Sequence, residues 1–176
     1  MSNATALLVI DVQLGLFQRP TPLFNAEPVL TNINDLIGRA RANGVPVIFI
    51  QHNGTGESLL RPDRPGWALH PAIVPLEGEP VISKDFPNAF QKTILKATLK
   101  AGGINKLIIA GLLTDNCVGA TSRGALKLGY PITLVADGHS TFDREEVTAQ
   151  EIIDQLNREI EETGGQVKTT AQVTFA

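Results

Sequence analysis

Two regularities predict a three-layer α/β/α fold built on a parallel, Rossmann-like sheet. Short apolar runs rich in Val and Ile alternate with stretches of helical period, and glycine pairs or Asn-Gly punctuate the end of nearly every helical stretch. Residues 7–11 (LLVID) open the chain as a strand with no polar face, the pattern of a strand buried on both sides. A helical pattern over 27–43 ends at Asn43-Gly44, and a second strand follows at 45–51. The next short strand is 81–84, followed by a helix over 90–101 that stops at Gly102-Gly103. A strand at 106–111 leads into a helix over 116–128, closed by Leu128-Gly129. The strand at 132–137 and the helix over 144–163, ended by Gly164-Gly165, complete the alternation, with a weaker final strand at 167–175.

Between the second and third strands, residues 52–79 break this rhythm. The stretch is rich in Gly and Pro, lacks a sustained period and holds the only Trp, Trp67. Long irregular segments in compact domains are often functional, and this one leaves a strand's C-terminal end, the edge where open parallel sheets bind ligands.

The 176 residues fit one domain, spanning 1–176. A net charge of -3, with Lys and Arg scattered, gives no field for a phosphate backbone, so nucleic acid is not expected as a partner. The opening 13 residues have no basic n-region, Asp11 cuts the apolar run short, and no apolar stretch is long enough to cross a bilayer. The expectation is a cytoplasmic protein without membrane contact. A single cysteine, Cys117, excludes an internal disulfide.

Cys117 stands where an apolar strand breaks and a helix begins. A helix N-terminus lowers a thiol's pKa, so the position suits a nucleophile. Asp11 and Lys84 also follow apolar strands, and in a parallel sheet all three ends lie on one edge. Asp11 could then accept the thiol proton while the Lys84 ammonium stabilises the thiolate. Lys84 raises a geometric question, because its short strand would be an edge strand two places from Asp11. Phe17, Trp67 and Phe86 are candidate apolar walls of a substrate pocket, with Gln13 and Asn88 as polar contacts. His52 either lines that pocket or caps its strand, while His70 and His139 read as structural. Asp115 and Asn116 are expected to cap the helix that presents Cys117. A dinucleotide site is disfavoured, since the turn after the first strand (residues 11–20, DVQLGLFQRP) has one glycine and no G-x-G-x-x-G. A redox-sensitive or ligand-binding protein without turnover remains open, because an activated thiolate is also oxidisable.

Three segments, LVIDVQ (8–13), VISKDFPNAF (81–90) and GLLTDNCVGATSRGALKLGY (111–130) followed by VADGHS (135–140), resemble the isochorismatase-like cysteine hydrolases, relatives of nicotinamidases and N-carbamoylsarcosine amidohydrolases. The resemblance covers nearly the whole chain. It implies a six-stranded sheet of order 3-2-1-4-5-6 and an Asp11, Lys84, Cys117 triad. It also implies a cis peptide between Leu112 and Leu113, and an oxyanion hole formed by the backbone N–H groups of Leu113 and Cys117. The implied reaction is hydrolysis of a small-molecule amide, urea or carbamate through a thioester, with no cofactor and in a homo-oligomer. The metal-dependent nicotinamidases place an Asp-x-His pair after the second strand. Here the matching residues are Gln51, His52 and Asn53, a poor set for a transition metal, so no metal is expected and a nicotinamidase is the alternative.

Overall fold

A computed structural model describes residues 4–175. Residues 1–3 and 176, the extreme ends of the single domain assigned from the sequence, lie outside the described residues. Six strands form one sheet: β1 (Ala4–Ile10), β2 (Val47–His52), β3 (Val81–Lys84), β4 (Ile104–Leu112), β5 (Ile132–Ser140) and β6 (Gln166–Lys168). Their order is β3-β2-β1-β4-β5-β6, and every pairing is parallel, as expected.

Successive side chains of a strand point to opposite faces, so each central strand supplies two cores. From β1, Leu8 and Ile10 meet Leu95 and Leu99 of α2 (Leu95–Ala101), Ala125 of α3 (Gly119–Lys127), and Leu156 and Ile160 of α4 (Ala149–Glu162). Leu7 and Val9 face the opposite way, against Val29, Ile33 and Leu36 of α1 (Ala26–Ala42). Each of these buried Leu, Ile and Val side chains is worth about 1.5–3 kcal/mol. An unbroken apolar strand therefore requires helices on both sides.

Several element boundaries differ from the sequence reading, and four have a clear local cause. The helix expected from 90 begins only at Leu95, because side chains take over the backbone donors before it. Asn88 Oδ1 accepts from Phe90 N–H, Thr93 Oγ1 accepts from Leu95 N–H, and Lys92 is left-handed at φ 53°. The helix expected from 144 begins at Ala149, where Thr148 and Glu151 form a reciprocal capping box. The helix expected from 116 begins at Gly119, preceded by a π-turn over Thr114–Val118. The last strand spans three residues rather than the whole of 167–175. Asp137 Oδ1 accepts from Thr170 N–H and Oγ1, and Arg39 binds the carbonyls of Thr170 and Val173. These contacts turn the chain under α1, where Val173 and Phe175 join the core.

The β1 and β4 backbones meet very closely at their C-terminal ends. Gly111 has φ 130°, and a Cβ there would lie 2.1 Å from the Ile10 carbonyl oxygen. Only glycine permits this approach, which brings the residues after β4 beside Asp11.

Candidate active site

Asp11 follows β1 directly, in a left-handed conformation (φ 49°), with its N–H bonded to the Ile50 carbonyl at 3.0 Å. A non-glycine residue is seldom left-handed, and such positions cluster at functional sites. Gln13 fixes the neighbouring turn. Its Nε2 donates to the carbonyls of His52 (3.0 Å) and Trp67 (2.8 Å), and its Oε1 accepts from His52 N–H (2.9 Å).

Lys84 ends β3, two strands from β1, and is fully buried. The separation of about 10 Å is bridged by side chains rather than by a bend of the chain. Lys84 Nζ lies 2.9 Å from Asp11 Oδ2, 3.1 Å from Cys117 Sγ and 3.0 Å from His52 Nδ1. Cys117 enters from the π-turn after β4, 5% exposed. Thus Asp11, Lys84 and Cys117 are brought together from three strand ends. The other Asp11 oxygen, Oδ1, is buried and has no hydrogen-bond partner.

The electrostatics differ from a resting thiolate. Burial, and then the neighbouring Asp11 charge, push the Cys117 thiol up to about 12, against the opposing pull of Lys84. Asp11 is itself raised, chiefly by desolvation and against the Lys84 charge. The expected lowering of the thiol pKa by a helix terminus is overridden, because Cys117 is itself buried, within a π-turn two residues before α3 begins. The resting arrangement is a Cys117 thiol beside the Asp11 carboxyl group.

Asp11 and Cys117 line a cavity of about 330 Å³, with Lys84 buried behind them. Leu16, Leu59, Leu60 and Leu113 supply apolar wall, His52 and Asn116 supply polar groups, and the exposed Arg19 and Glu57 lie along it. The irregular crossover thus does cover the sheet edge, through its 57–60 segment.

Of the six residues expected to form the pocket, only His52 lines this cavity. The amide groups of Gln13 are used up between strand ends. Phe17 packs on His70 with ring centres 4.6 Å apart, Trp67 Nε1 donates to Asn53 Oδ1 at 3.0 Å, and Phe86 lies under Lys92. Asn88 bonds the backbone and packs on Gly124. All five belong to the shell that shapes the surrounding loops. The leucine pair 59–60 is the sequence signal for this wall, the first two adjacent apolar residues of the crossover.

Asp115 and Asn116 do not cap the helix. Asp115 accepts from Thr141 Oγ1 and Arg144 Nη2, both at 2.6 Å, pinning the π-turn to the segment after β5, while Asn116 lines the cavity. His139 is buried between Thr114 Oγ1 (2.8 Å) and Asn157 Oδ1 (2.9 Å), and burial lowers its pKa to about 4. The Leu112–Leu113 peptide is cis, and Leu113 and Cys117 face the same cavity.

Asp11, His52 and Cys117 each offer one ligand atom, all within 4.8 Å of one another. A metal does not fit this set as built. Lys84 Nζ already stands within hydrogen-bonding distance of all three residues, so a second cation would have to displace a buried ammonium.

A family model described as the isochorismatase domain matches residues 5–172. A streptothricin hydrolase of Streptomyces noursei is 38% identical over 138 residues, covering 78% of this chain and 50% of the relative. The chain therefore spans about half the length of that curated relative. The uncharacterized isochorismatase family protein YddQ of Bacillus subtilis is 36% identical over 140 residues, 78% of each chain. A crystal structure of an isochorismatase from Pseudomonas putida superposes with a TM-score of 0.90 at 32% identity, covering 98% of this chain and 91% of that one. Among the described residues, no helix is long and apolar enough to cross a membrane.

Proposed function

The chain belongs to the isochorismatase family, and from that premise we propose that it is a cysteine-dependent hydrolase of small-molecule C–N bonds, working through an Asp11, Lys84, Cys117 triad. The observation that carries this reading is Lys84 Nζ held between Asp11 Oδ2 and Cys117 Sγ, the two members of the trio that line the cavity. The streptothricin hydrolase relative supports a hydrolytic reaction without fixing the substrate here.

Lys84 holds Asp11 through Oδ2, which leaves Oδ1 free to take a proton. As Sγ attacks the substrate carbonyl carbon, the S–H proton passes to Asp11, and the carbonyl electrons move onto oxygen. The backbone N–H groups of Leu113 and Cys117 are the proposed donors to that oxyanion. Collapse breaks the C–N bond, and Asp11 gives its proton to the departing amine. Water, deprotonated by the same carboxylate, then adds to the thioester carbonyl. Collapse of that adduct breaks the C–S bond and releases the acid, and Asp11 returns its proton to Sγ to restore the thiol.

A resting thiol suits this scheme. The raised Asp11 is a stronger base than an ordinary carboxylate, and the thiol is deprotonated only as it attacks. The cavity volume limits the acyl group to a small molecule. Turnover on a panel of small amides, ureas and carbamates tests the reading. Hydrolysis by the native protein that disappears in Cys117→Ala supports it, and hydrolysis retained in a folded Cys117→Ala protein overturns it.

A further inference from the structure

A protonated lysine has three N–H donors and no acceptor. Lys84 Nζ meets three partners: Asp11 Oδ2, Cys117 Sγ and His52 Nδ1. Each donor therefore has one acceptor, and His52 Nδ1 must carry a lone pair rather than a hydrogen. The imidazole is then neutral with its proton on Nε2, the tautomer set by the bond its other nitrogen makes. Burial and the adjacent Lys84 charge both lower the His52 pKa, in agreement with a neutral ring. Among the described residues Nε2 has no hydrogen-bond partner, and His52 lines the cavity beside Asp11 and Cys117.

We propose that His52 is a specificity-determining residue, locked by Lys84 as the Nε2–H tautomer, whose free N–H selects amides carrying a hydrogen-bond acceptor on the acyl side. This rests on the hydrolase reading above, since it assigns that enzyme its substrate class. The remaining charges along the cavity point the same way. The Arg19 guanidinium lies 4.6 Å from the Phe142 ring centre and has no carboxylate partner among the described residues. The Glu57 carboxylate is held by Arg64 at 2.9 Å. Beside the Asn116 amide, which can donate or accept, the cavity therefore offers His52 Nε2–H and the Arg19 guanidinium as uncommitted donors, and a substrate with a carbonyl or carboxylate matches them. An ammonium in the same place would face Nε2–H and Arg19.

The tautomer is read without any turnover, from long-range proton–nitrogen spectra of imidazole-labelled protein at neutral pH, with the His52 signals assigned by their loss in His52→Asn. A bare Nδ1 and a protonated Nε2 are expected. A proton on Nδ1, or on both nitrogens, overturns the proposal. Succinamate, pentanamide and 4-aminobutanamide then serve as matched ligands bearing a carboxylate, a methyl group and an ammonium. Succinamate should shift the His52 Nε2 signal and bind about tenfold more tightly than pentanamide, the worth of one hydrogen bond to a charged acceptor, with 4-aminobutanamide weakest. The succinamate preference should vanish in His52→Asn, which keeps an acceptor for Lys84 but has no donor at the Nε2 position, and should partly return in His52→Gln. Equal binding of all three ligands, or a preference unchanged in His52→Asn, also overturns it. Binding in the expected order without hydrolysis of any amide would count against the hydrolase reading alone.

Discussion

Lys84 Nζ and Asp11 Oδ2 lie 2.9 Å apart although their strands are separated by another strand. Both side chains are almost wholly buried. Removing one member of a buried pair leaves the other charge uncompensated, a cost of about 3–5 kcal/mol. Lys84→Met should therefore lose about 3 kcal/mol of stability at neutral pH, and should lose activity.

The sign of its pH dependence follows from Asp11. Without Lys84, the main influence lowering the Asp11 pKa is gone, so the folded value rises further above 3.8. The cost of a charged Asp11 is then felt above the folded pKa and fades as pH falls through it. Denaturant unfolding at several pH values should show the deficit of Lys84→Met shrinking toward acid, whereas a deficit that grows would exclude this origin.

Asp11→Asn should abolish most turnover, by about 100-fold or more, as expected for loss of a general base. Its thiol should nonetheless ionise more easily, because the Asp11 charge is the second-largest influence raising Cys117. A titration of thiolate ultraviolet absorbance should give a pKa below the native value of about 12. A higher value in the variant would contradict the electrostatic description.

The cavity wall over Leu59 and Leu60 depends on a close backbone contact. A Cβ on Gly66 would lie 2.6 Å from the Leu59 carbonyl oxygen and 2.9 Å from Gly15 Cα, both backbone atoms that cannot rotate away. Gly66→Ala should push the 57–60 segment outward and raise KM several-fold with a smaller change in kcat. Unchanged steady-state kinetics would mean that this segment does not shape the substrate site.

His139 should make the protein acid-sensitive. Its pKa is about 4 in the fold against 6.5 when exposed. Above 6.5 neither state is protonated; between 6.5 and 4 the unfolded chain takes up a proton that the fold refuses. Stability is therefore lost as pH falls across that window, by about 3 kcal/mol at its end. His139→Gln should lack this loss, and parallel stability curves for the two proteins would refute it.

Much of this was legible in the sequence because it follows from local pattern. Apolar runs without polar alternation specify doubly covered strands, and three strand ends place Asp11, Lys84 and Cys117 on one edge whatever the loops do. The pocket lining was not legible, because it depends on how residues 52–79 fold back, and no local period records that. Trp67 and Phe17 looked like walls by residue type, yet their partners are Asn53 and His70. The raised thiol pKa was likewise hidden: helix position and the Lys84 charge argue for lowering, and burial together with the Asp11 charge reverses them. The long reach of Lys84 across β2 resolves the edge-strand question through the side chain itself.

The central claim is that Cys117 carries the acyl group. Mass spectrometry of protein quenched during turnover of an amide, followed by peptide mapping, tests it most directly. The expected result is the substrate's acyl mass on the peptide containing Cys117, present in the native protein and absent from Cys117→Ala. Steady product formation by a folded Cys117→Ala protein at the native rate would contradict it.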